Sequence, residues 1–378
     1  MKQTEIFGER SISELRKLLL EMGARKIFLV TGTGSYSKSG AEAALNDIVN
    51  EFEITRFKVT TECPDLEFVK GGIENLNQSD CDSIVAIGGG NVIDTAKAIN
   101  ILSAQTVLPE DCIRSMSAIS KKGLPLIVIP TTSGSGSEAT QFAVVYSGDE
   151  KFSLAGEYIL PDVSIVDPEL TYSLSPYQTA VSGIDVFCQA IESTWASGST
   201  AESKHFAEKA IALVLKSYIS AVDSPGKENR RDMSHASNLS GKAINISKTT
   251  APHAVSYTLT RKFGIPHGQA VCITLGEFLR YNYEVSSSDC NDARGENFVK
   301  SSIDDIIRLT GAGDVNESMR VIKEIISESG LKSNLRDLGI NSSAQLEFIA
   351  DNCNAQRLAN NPRKLNREAL LEILKSVY

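Results

Sequence analysis

Up to Pro130 the sequence alternates short apolar runs with stretches of helical spacing, the pattern of a parallel sheet covered by helices. Lys26-Ile-Phe-Leu-Val-Thr31 precedes Gly32 and Gly34, residues 53–60 read as a second strand, Ser83-Ile-Val-Ala-Ile87 runs into Gly88-Gly89-Gly90, and residues 126–129 stop at Pro130. Around them, residues 13–22, 40–52, 66–76 and 91–102 have apolar residues at helical intervals. Parallel neighbours cannot be joined by a tight turn, so each helix must carry the chain back across the sheet. Such sheets bind ligands at the carboxyl ends of their strands, where the glycines fall.

Beyond Leu170 the strand signals fade, and residues 176–195, 201–222, 231–246 and 250–262 all read as helices. A boundary near Ser175 therefore divides the chain into an α/β domain, 1–175, and an all-α domain, 176–378. Composition removes several functions. With 38 Lys and Arg against 47 Asp and Glu the formal net charge is −9, so the basic face needed to bind nucleic acid is missing. The seven cysteines are scattered, odd in number and free of any CxxC pair, which points to reduced thiols and a cytoplasmic location. No run approaches the ~18 apolar residues of a membrane span, and the N-terminus lacks the apolar core of a signal peptide. A membrane partner is not expected.

Four segments carry residues suited to chemistry. In Gly88-Gly-Gly-Asn91-Val-Ile-Asp94-Thr-Ala-Lys97 a strand turns through three glycines into a helix. Bare glycine backbone lets a phosphate approach, and the helix start offers unbonded N–H donors; a plain tight turn is the other reading. In Pro130-Thr-Thr-Ser-Gly-Ser-Gly-Ser137-Glu138 every position from 131 to 137 is glycine or carries a hydroxyl, which makes either a polar cradle for a sugar or diphosphate or a flexible surface loop.

The chain has four histidines. His205 and His235, flanked by charged or polar helix residues, read as structural. His253 falls on the helix 250–262, and His267 in the Gly264-Ile-Pro-His267-Gly loop after it, where Pro and Gly fix the backbone and present the ring. In the fourth segment, Ser182-Gly-Ile-Asp185-Val-Phe-Cys-Gln189-Ala-Ile-Glu192, the spacing sets Asp185, Gln189 and Glu192 on one helical face. That face is either solvated or, presented toward two histidines, part of a divalent-metal site with N and O ligands.

In order, these segments resemble the iron-containing (group III) alcohol dehydrogenase family over nearly the whole chain. Leu160-Pro-Asp-Val-Ser-Ile-Val-Asp-Pro-Glu-Leu170, Gly183-Ile-Asp185, Ile265-Pro-His-Gly268 and Asn361-Pro-Arg363 add to the match. The resemblance implies a dehydroquinate synthase-like fold: an N-terminal dinucleotide-binding α/β domain, an all-α domain, and a cleft between them for cofactor and metal. It also implies a homodimer. Gly88, Gly89, Gly90 and Asn91 would cradle the pyrophosphate, with Asp94 nearby; Thr131, Thr132 and Ser135 would line the adenosine and nicotinamide side; Lys151 would reach the nicotinamide ribose. The family's metal, Fe2+ or Zn2+, is held by one Asp and three His, matched here by Asp185, His253 and His267, with Gln189 at the fourth position.

Two further departures bear on chemistry. Many relatives have another histidine where this chain has Tyr257, whose phenol could relay a proton to the substrate oxygen. Many relatives specific for NAD carry an acidic residue where this chain has Gly32; without its charge, and with Ser37 and Lys38 beside it, a 2′-phosphate is admitted, so NADPH use is expected alongside NADH. Asp185-Val-Phe-Cys-Gln189-Ala-Ile-Glu-Ser193 with Thr249-Thr-Ala-Pro-His-Ala-Val-Ser256 resembles a narrower branch, the phosphonoacetaldehyde reductases. An anionic substrate of that kind would need a cation, and Arg261 or Lys262 could supply it; solvated charges at a helix end are the other reading. The resemblance thus implies reduction of a small aldehyde to a primary alcohol by metal-assisted hydride transfer. A dehydroquinate synthase-like cyclase, a glycerol-1-phosphate dehydrogenase, or an inactive nucleotide-binding module are the alternatives.

Overall fold

The computed structural model describes residues 3–49, 51–61, 63–115, 118–148, 150–353 and 358–378. The chain forms two compact units, Met1–Leu174 and Ser175–Tyr378.

Eight strands lie among the described residues of the first unit: β1 (Thr4–Phe7), β2 (Lys26–Gly32), β3 (Glu53–Val59), β4 (Ser83–Gly88), β5 (Leu126–Pro130), β6 (Phe142–Ser147), β7 (Glu150–Ala155) and β8 (Val163–Val166). Six form a parallel sheet in the order β1-β8-β5-β4-β2-β3. The inner strands β4 and β5 are buried at every residue, which is why they read as unbroken apolar runs. Successive side chains go to opposite faces: Phe28, Val30, Ile84, Ala86 and Val128 join one core cluster, and Ile27, Leu29, Val85, Ile87 and Ile129 the other. Because β2 pairs with β3 on one side and β4 on the other, the chain reverses its direction of travel between β2 and β4. That reversal opens the crevice in which doubly wound sheets bind ligands.

Four parts of the first unit differ from the sequence reading, and one is β8, an inner strand buried at every residue where no strand was expected. β1, a four-residue strand with its first two residues exposed, carries too little pattern to be seen, yet it pairs with β8 at the sheet edge. The run expected as one helix over 40–52 is instead two short helices, Ala41–Ala44 and Asn46–Val49, entered from Gly40 at φ 85°; Asn50 lies outside the described residues. β6 and β7 form an antiparallel hairpin that the sequence pattern does not announce, and Lys151 sits on it opposite Tyr146.

The second unit is built from helices, among them Pro176–Trp195, Ala201–Asp223, Lys227–Ser247, Ala251–Phe263, His267–Tyr283, Glu296–Leu309 and Val315–Glu328. Pro176–Trp195 starts at a capping box made by Ser175 and Gln178, with proline at its first position. From Gly183 to Trp195 every residue is buried, as expected of a helix apolar on most sides and enclosed by others. One close approach shapes the site. A Cβ on Gly268 would lie 2.0 Å from the carbonyl oxygen of Val181 and 3.2 Å from Asp185 Cβ, so only glycine lets the start of His267–Tyr283 come this near the central helix. Among the described residues no helix is long and apolar enough to cross a membrane.

Candidate active site

In the first unit the register pairs Thr31 with Ile87 and Gly88 with Pro130, so β2, β4 and β5 deliver their following loops to the same end of the sheet. These loops pack closely. A Cβ on Gly90 would stand 2.5 Å from Ser135 Oγ and 2.9 Å from Ser135 Cβ, and one on Gly88 would stand 2.6 Å from Val92. On Gly89 a Cβ would meet Thr132 at 3.4 Å. Gly90 is therefore a steric requirement of two loops in contact and Gly88 of the close turn into its own helix, while Gly89 makes only ordinary contact; Gly90 opens the helix Gly90–Ser103 with its N-terminal amides facing this end. Asn91 Nδ2 donates to the Thr61 carbonyl at 2.5 Å, while Asn91 Oδ1 and Thr131 Oγ1 are buried with no hydrogen-bond partner among the described residues. Orphaned polar atoms beside glycine amides suit a polar ligand.

Asp94 faces the fold. Its Oδ1 accepts from Ser137 Oγ and its Oδ2 from the Val144 amide at 3.0 Å, tying the hydroxyl-rich loop and β6 to the helix. Lys97, one turn further on, was not singled out by sequence reasoning. Its ammonium is buried and donates to the carbonyls of Ser137, Thr140 and Phe142 at 2.5, 2.7 and 2.9 Å. Burial pushes Lys97 down to about 8 against the pull of Asp94 and Glu138, and burial likewise pushes the Asp94 carboxyl up against the pull of Lys97. Gly32 closes β2, where a Cβ would meet Ser35 Oγ at 2.4 Å, and Ser37 and Lys38 are exposed on the short helix Ser35–Lys38 that follows. Lys151 is half-buried.

In the second unit Asp185 comes from the central helix, His253 is the third residue of Ala251–Phe263, and His267 is the first residue of His267–Tyr283. The loop expected around His267 is thus a helix start, with Pro266 as its N-cap. The face carrying Asp185, Gln189 and Glu192 is not solvated: their exposures are 5%, 3% and 0%. Asp185, His253 and His267 each offer a ligand atom within 4.8 Å of the others, and His253 Nε2 lies 3.4 Å from Asp185 Oδ1. The two imidazoles meet edge to face at 5.3 Å between centroids.

Glu192 plays a part the sequence did not reveal, although its i+7 spacing from Asp185 was the available signal. One carboxylate oxygen faces His253 Nδ1 in a short contact; the other accepts from the Thr250 amide and hydroxyl at 2.6 and 2.8 Å. Trp195 Nε1 in turn donates to Thr250 Oγ1 at 2.9 Å. A carboxylate on Nδ1 fixes the ring and turns Nε2 toward Asp185, the usual support for a metal-binding histidine. Gln189 Nε2 donates to Asp185 Oδ2, and Gln189 Oε1 accepts from Ser240 Oγ, each at 3.0 Å. Asp185 Oδ1 is buried without a hydrogen bond.

Burial alone would raise the Asp185 carboxyl, but His267, His253 and the Gln189 amide outweigh it and hold it below the usual carboxylate range. Burial would depress His253; Glu192 and Asp185 overcome that and raise it to about 10. The metal-free ring is therefore protonated at neutral pH, and a divalent cation would bind Nε2 by displacing its proton while Glu192 keeps the one on Nδ1. Such a cation bonds N and O ligands at ~2.0–2.2 Å, which leaves ligand atoms ~3–4 Å apart. The spacing, the orphaned Asp185 oxygen and the N/O donor set fit a metal. Tyr257 stacks parallel on His267, with centroids 6.2 Å apart and an interplanar angle of 6°. Arg261 and Lys262 are exposed in the last turn of the same helix.

Comparison with known proteins bears on both units. The model of the iron-containing alcohol dehydrogenases matches residues 3–168, and that of the Fe-containing alcohol dehydrogenase family C-terminal region matches residues 179–378. Phosphonoacetaldehyde reductase of Streptomyces viridochromogenes is 33% identical over 303 residues, 78% of this chain and 75% of the relative. Choline dehydrogenase of Bacillus subtilis is 31% identical over 291 residues, 73% of this chain and 70% of the relative. The crystal structure of sulfoacetaldehyde reductase from Bifidobacterium kashiwanohense in complex with NAD+ is similar with a TM-score of 0.87 at 30% identity, covering 99% of this chain and 96% of that one.

Proposed function

The chain belongs to the iron-containing alcohol dehydrogenase family and is an enzyme of the alcohol dehydrogenase and aldehyde reductase type; on that premise we propose that it reduces a small aldehyde carrying an anionic group, phosphonoacetaldehyde first among them, to the primary alcohol. The observation that carries the reading is the convergence of buried Asp185 and His253 with half-buried His267. Support for the anionic group comes from relatives named for phosphonoacetaldehyde and sulfoacetaldehyde. Choline is a cation, and a choline dehydrogenase is nearly as similar, so the charge preference rests on this chain's own Arg261 and Lys262.

When bound, a divalent metal, Fe2+ or Zn2+, supplies Lewis acidity to a carbonyl oxygen, and a nicotinamide dinucleotide supplies a hydride. Asp185, His253 and His267 would hold the metal, with Glu192 keeping the His253 ring in the required orientation. Gly88, Gly89, Gly90 and Asn91 would bind the pyrophosphate by backbone amides and the Asn91 carboxamide; Thr131, Thr132, Ser135 and Lys151 would position the rest of the dinucleotide. With no carboxylate at Gly32, and with Ser37 and Lys38 following, NADPH is accepted alongside NADH. Tyr257 Oη, or water, would deliver the proton that the reduced carbonyl oxygen requires. The hydrogen bonds of Asp185 to Gln189 and of His253 to Glu192 keep these groups fixed before substrate arrives.

An aldehyde panel with NADPH or NADH, read by loss of reduced-cofactor absorbance, tests this. Phosphonoacetaldehyde is expected to show the highest kcat/KM, and metal analysis of the purified protein is expected to find about one equivalent per chain. Equal kcat/KM on uncharged short aldehydes would remove the anionic assignment and leave the reductase. Absence of both metal and turnover would leave a nucleotide-binding module.

A further inference from the structure

We infer that Gln189 is a positioning residue for Asp185 and not a metal ligand, so that this chain holds its metal with three protein atoms; the inference rests on the metal reading proposed above. The chemistry of the neighbours decides which way the carboxamide faces. Gln189 Nε2 lies 3.0 Å from Asp185 Oδ2 and donates to it, so the NH2 of the carboxamide faces the carboxylate. The carboxamide oxygen is thereby turned to the far side, where Ser240 Oγ donates to it at 3.0 Å. All three residues are buried, with exposures of 3% for Gln189, 0% for Ser240 and 5% for Asp185, so neither hydrogen bond is exchanged for water without cost. For Gln189 Oε1 to ligate a metal, the side chain would have to reverse, lose the Ser240 bond and set its oxygen's lone pairs beside Asp185.

The arrangement also repeats along the central helix. Glu192 faces His253 Nδ1, and Gln189 faces Asp185 Oδ2, so each of these two donors is braced by a polar side chain of Pro176–Trp195. Glu192 stands to His253 as Gln189 stands to Asp185. Bracing groups of this kind set ligand orientation, and their loss typically costs ~10–100-fold in metal affinity.

Two full-length variants test the inference, with Mn2+ and Zn2+ titrated into metal-free protein. Gln189→Leu is expected to weaken Zn2+ binding ~10–100-fold while the water-proton relaxivity of the Mn2+-loaded protein stays as in the wild type, because no coordination position is opened. A relaxivity increase equal to one more bound water, or an unchanged Zn2+ affinity, would overturn the inference. Ser240→Ala, a small change that leaves every donor atom in place, is expected to weaken Zn2+ binding several-fold by releasing the carboxamide. An equal or higher affinity in Ser240→Ala would show the oxygen freed to ligate and would also overturn it. Should the metal reading itself fail, the wild type will bind Zn2+ no more tightly than Asp185→Asn does, and both readings fall together.

Discussion

The two units prepare their sites by opposite means. At the sheet end of the first, the groups proposed to meet a ligand are bare amides and hydroxyls, and the backbone packs closely there because Gly88 and Gly90 carry no Cβ to meet Val92 and Ser135. In the core of the second, the groups are charged and buried, and they persist because each is hydrogen-bonded: Asp185 to Gln189, and Glu192 to Thr250 and His253. One site depends on what the chain omits, the other on polar groups being satisfied. Adding bulk should damage the first selectively, and removing a polar partner should damage the second.

The largest effect is expected from Asp185→Ala. It removes a ligand atom and leaves the Gln189 amide without its acceptor, so kcat/KM for aldehyde reduction should fall ~10^3-fold or more, in line with the several kcal/mol a Lewis-acid site contributes. Bound metal should be lost in parallel. NADPH affinity, measured by quenching or enhancement of its fluorescence, should stay largely unchanged, because none of the groups assigned to the dinucleotide is altered. A comparable loss of NADPH affinity would break the division of labour between the units.

Lys97 is where the first unit departs from its own rule, because it buries a charge. Its folded value of about 8 lies below the ordinary 10.5, so between those values the folded chain binds fewer protons than the unfolded one and stability rises with pH; as pH falls through about 8 that contribution is lost. A drop from 10.5 to about 8 corresponds to ~3 kcal/mol. Urea unfolding of the wild type and of Lys97→Met across pH 7.5–10.5 should show the wild type gaining roughly that much on the variant. A difference that stays flat with pH would mean the three carbonyls hold the ammonium without cost, and the contrast between the units would weaken.

How much of this was legible in the sequence follows the same contrast. β2, β4 and β5 show as apolar runs because both faces of each are covered, and their glycine endings place the loops. The edge strand β1 and the hairpin of β6 and β7 do not show, since a partly exposed strand needs no unbroken apolar run. In the second unit, spacing set Asp185, Gln189 and Glu192 on one face but could not tell buried from solvated. What buries them is supplied by residues 51 to 61 positions away: Ser240 for Gln189, Thr250 and His253 for Glu192. Sequence periodicity reports one helix at a time, so pairings at that distance lie beyond it. Lys97 escaped notice for the same reason, its carbonyl partners lying 40 to 45 residues later.

Gly90→Ala tests the first unit's reliance on omission. The added methyl would meet Ser135 Oγ at 2.5 Å, which rotation can relieve, and Ser135 Cβ at 2.9 Å, which it cannot. Overpacking of this kind costs ~1–3 kcal/mol. If the loops yield by moving apart, the dinucleotide should bind ~10-fold more weakly, within that range, while metal content and Zn2+ affinity match the wild type. Calorimetric titration of both ligands reads the two outcomes separately, and a parallel loss of Zn2+ affinity would refute the separation.

The smallest effect, and the one that bears on substrate charge, belongs to Arg261. It is exposed at the C-terminal turn of Ala251–Phe263, eight residues past His253, where a cation is already favoured by the helix dipole. Exposure limits what it can do: an ion pair in water is worth ~0.2–1 kcal/mol, so Arg261→Gln should raise KM for phosphonoacetaldehyde only ~1.5–5-fold. Global stability should change by less than ~0.5 kcal/mol, as for most surface substitutions. Charge alone distinguishes this from general damage. The same variant should leave kcat/KM for an uncharged aldehyde of similar size unchanged, and the KM difference for the anionic one should shrink as salt rises, because screening acts on exposed pairs first. If both aldehydes lose equally, Arg261 shapes the helix end and not the substrate, and the anion must be met by other groups of the second unit.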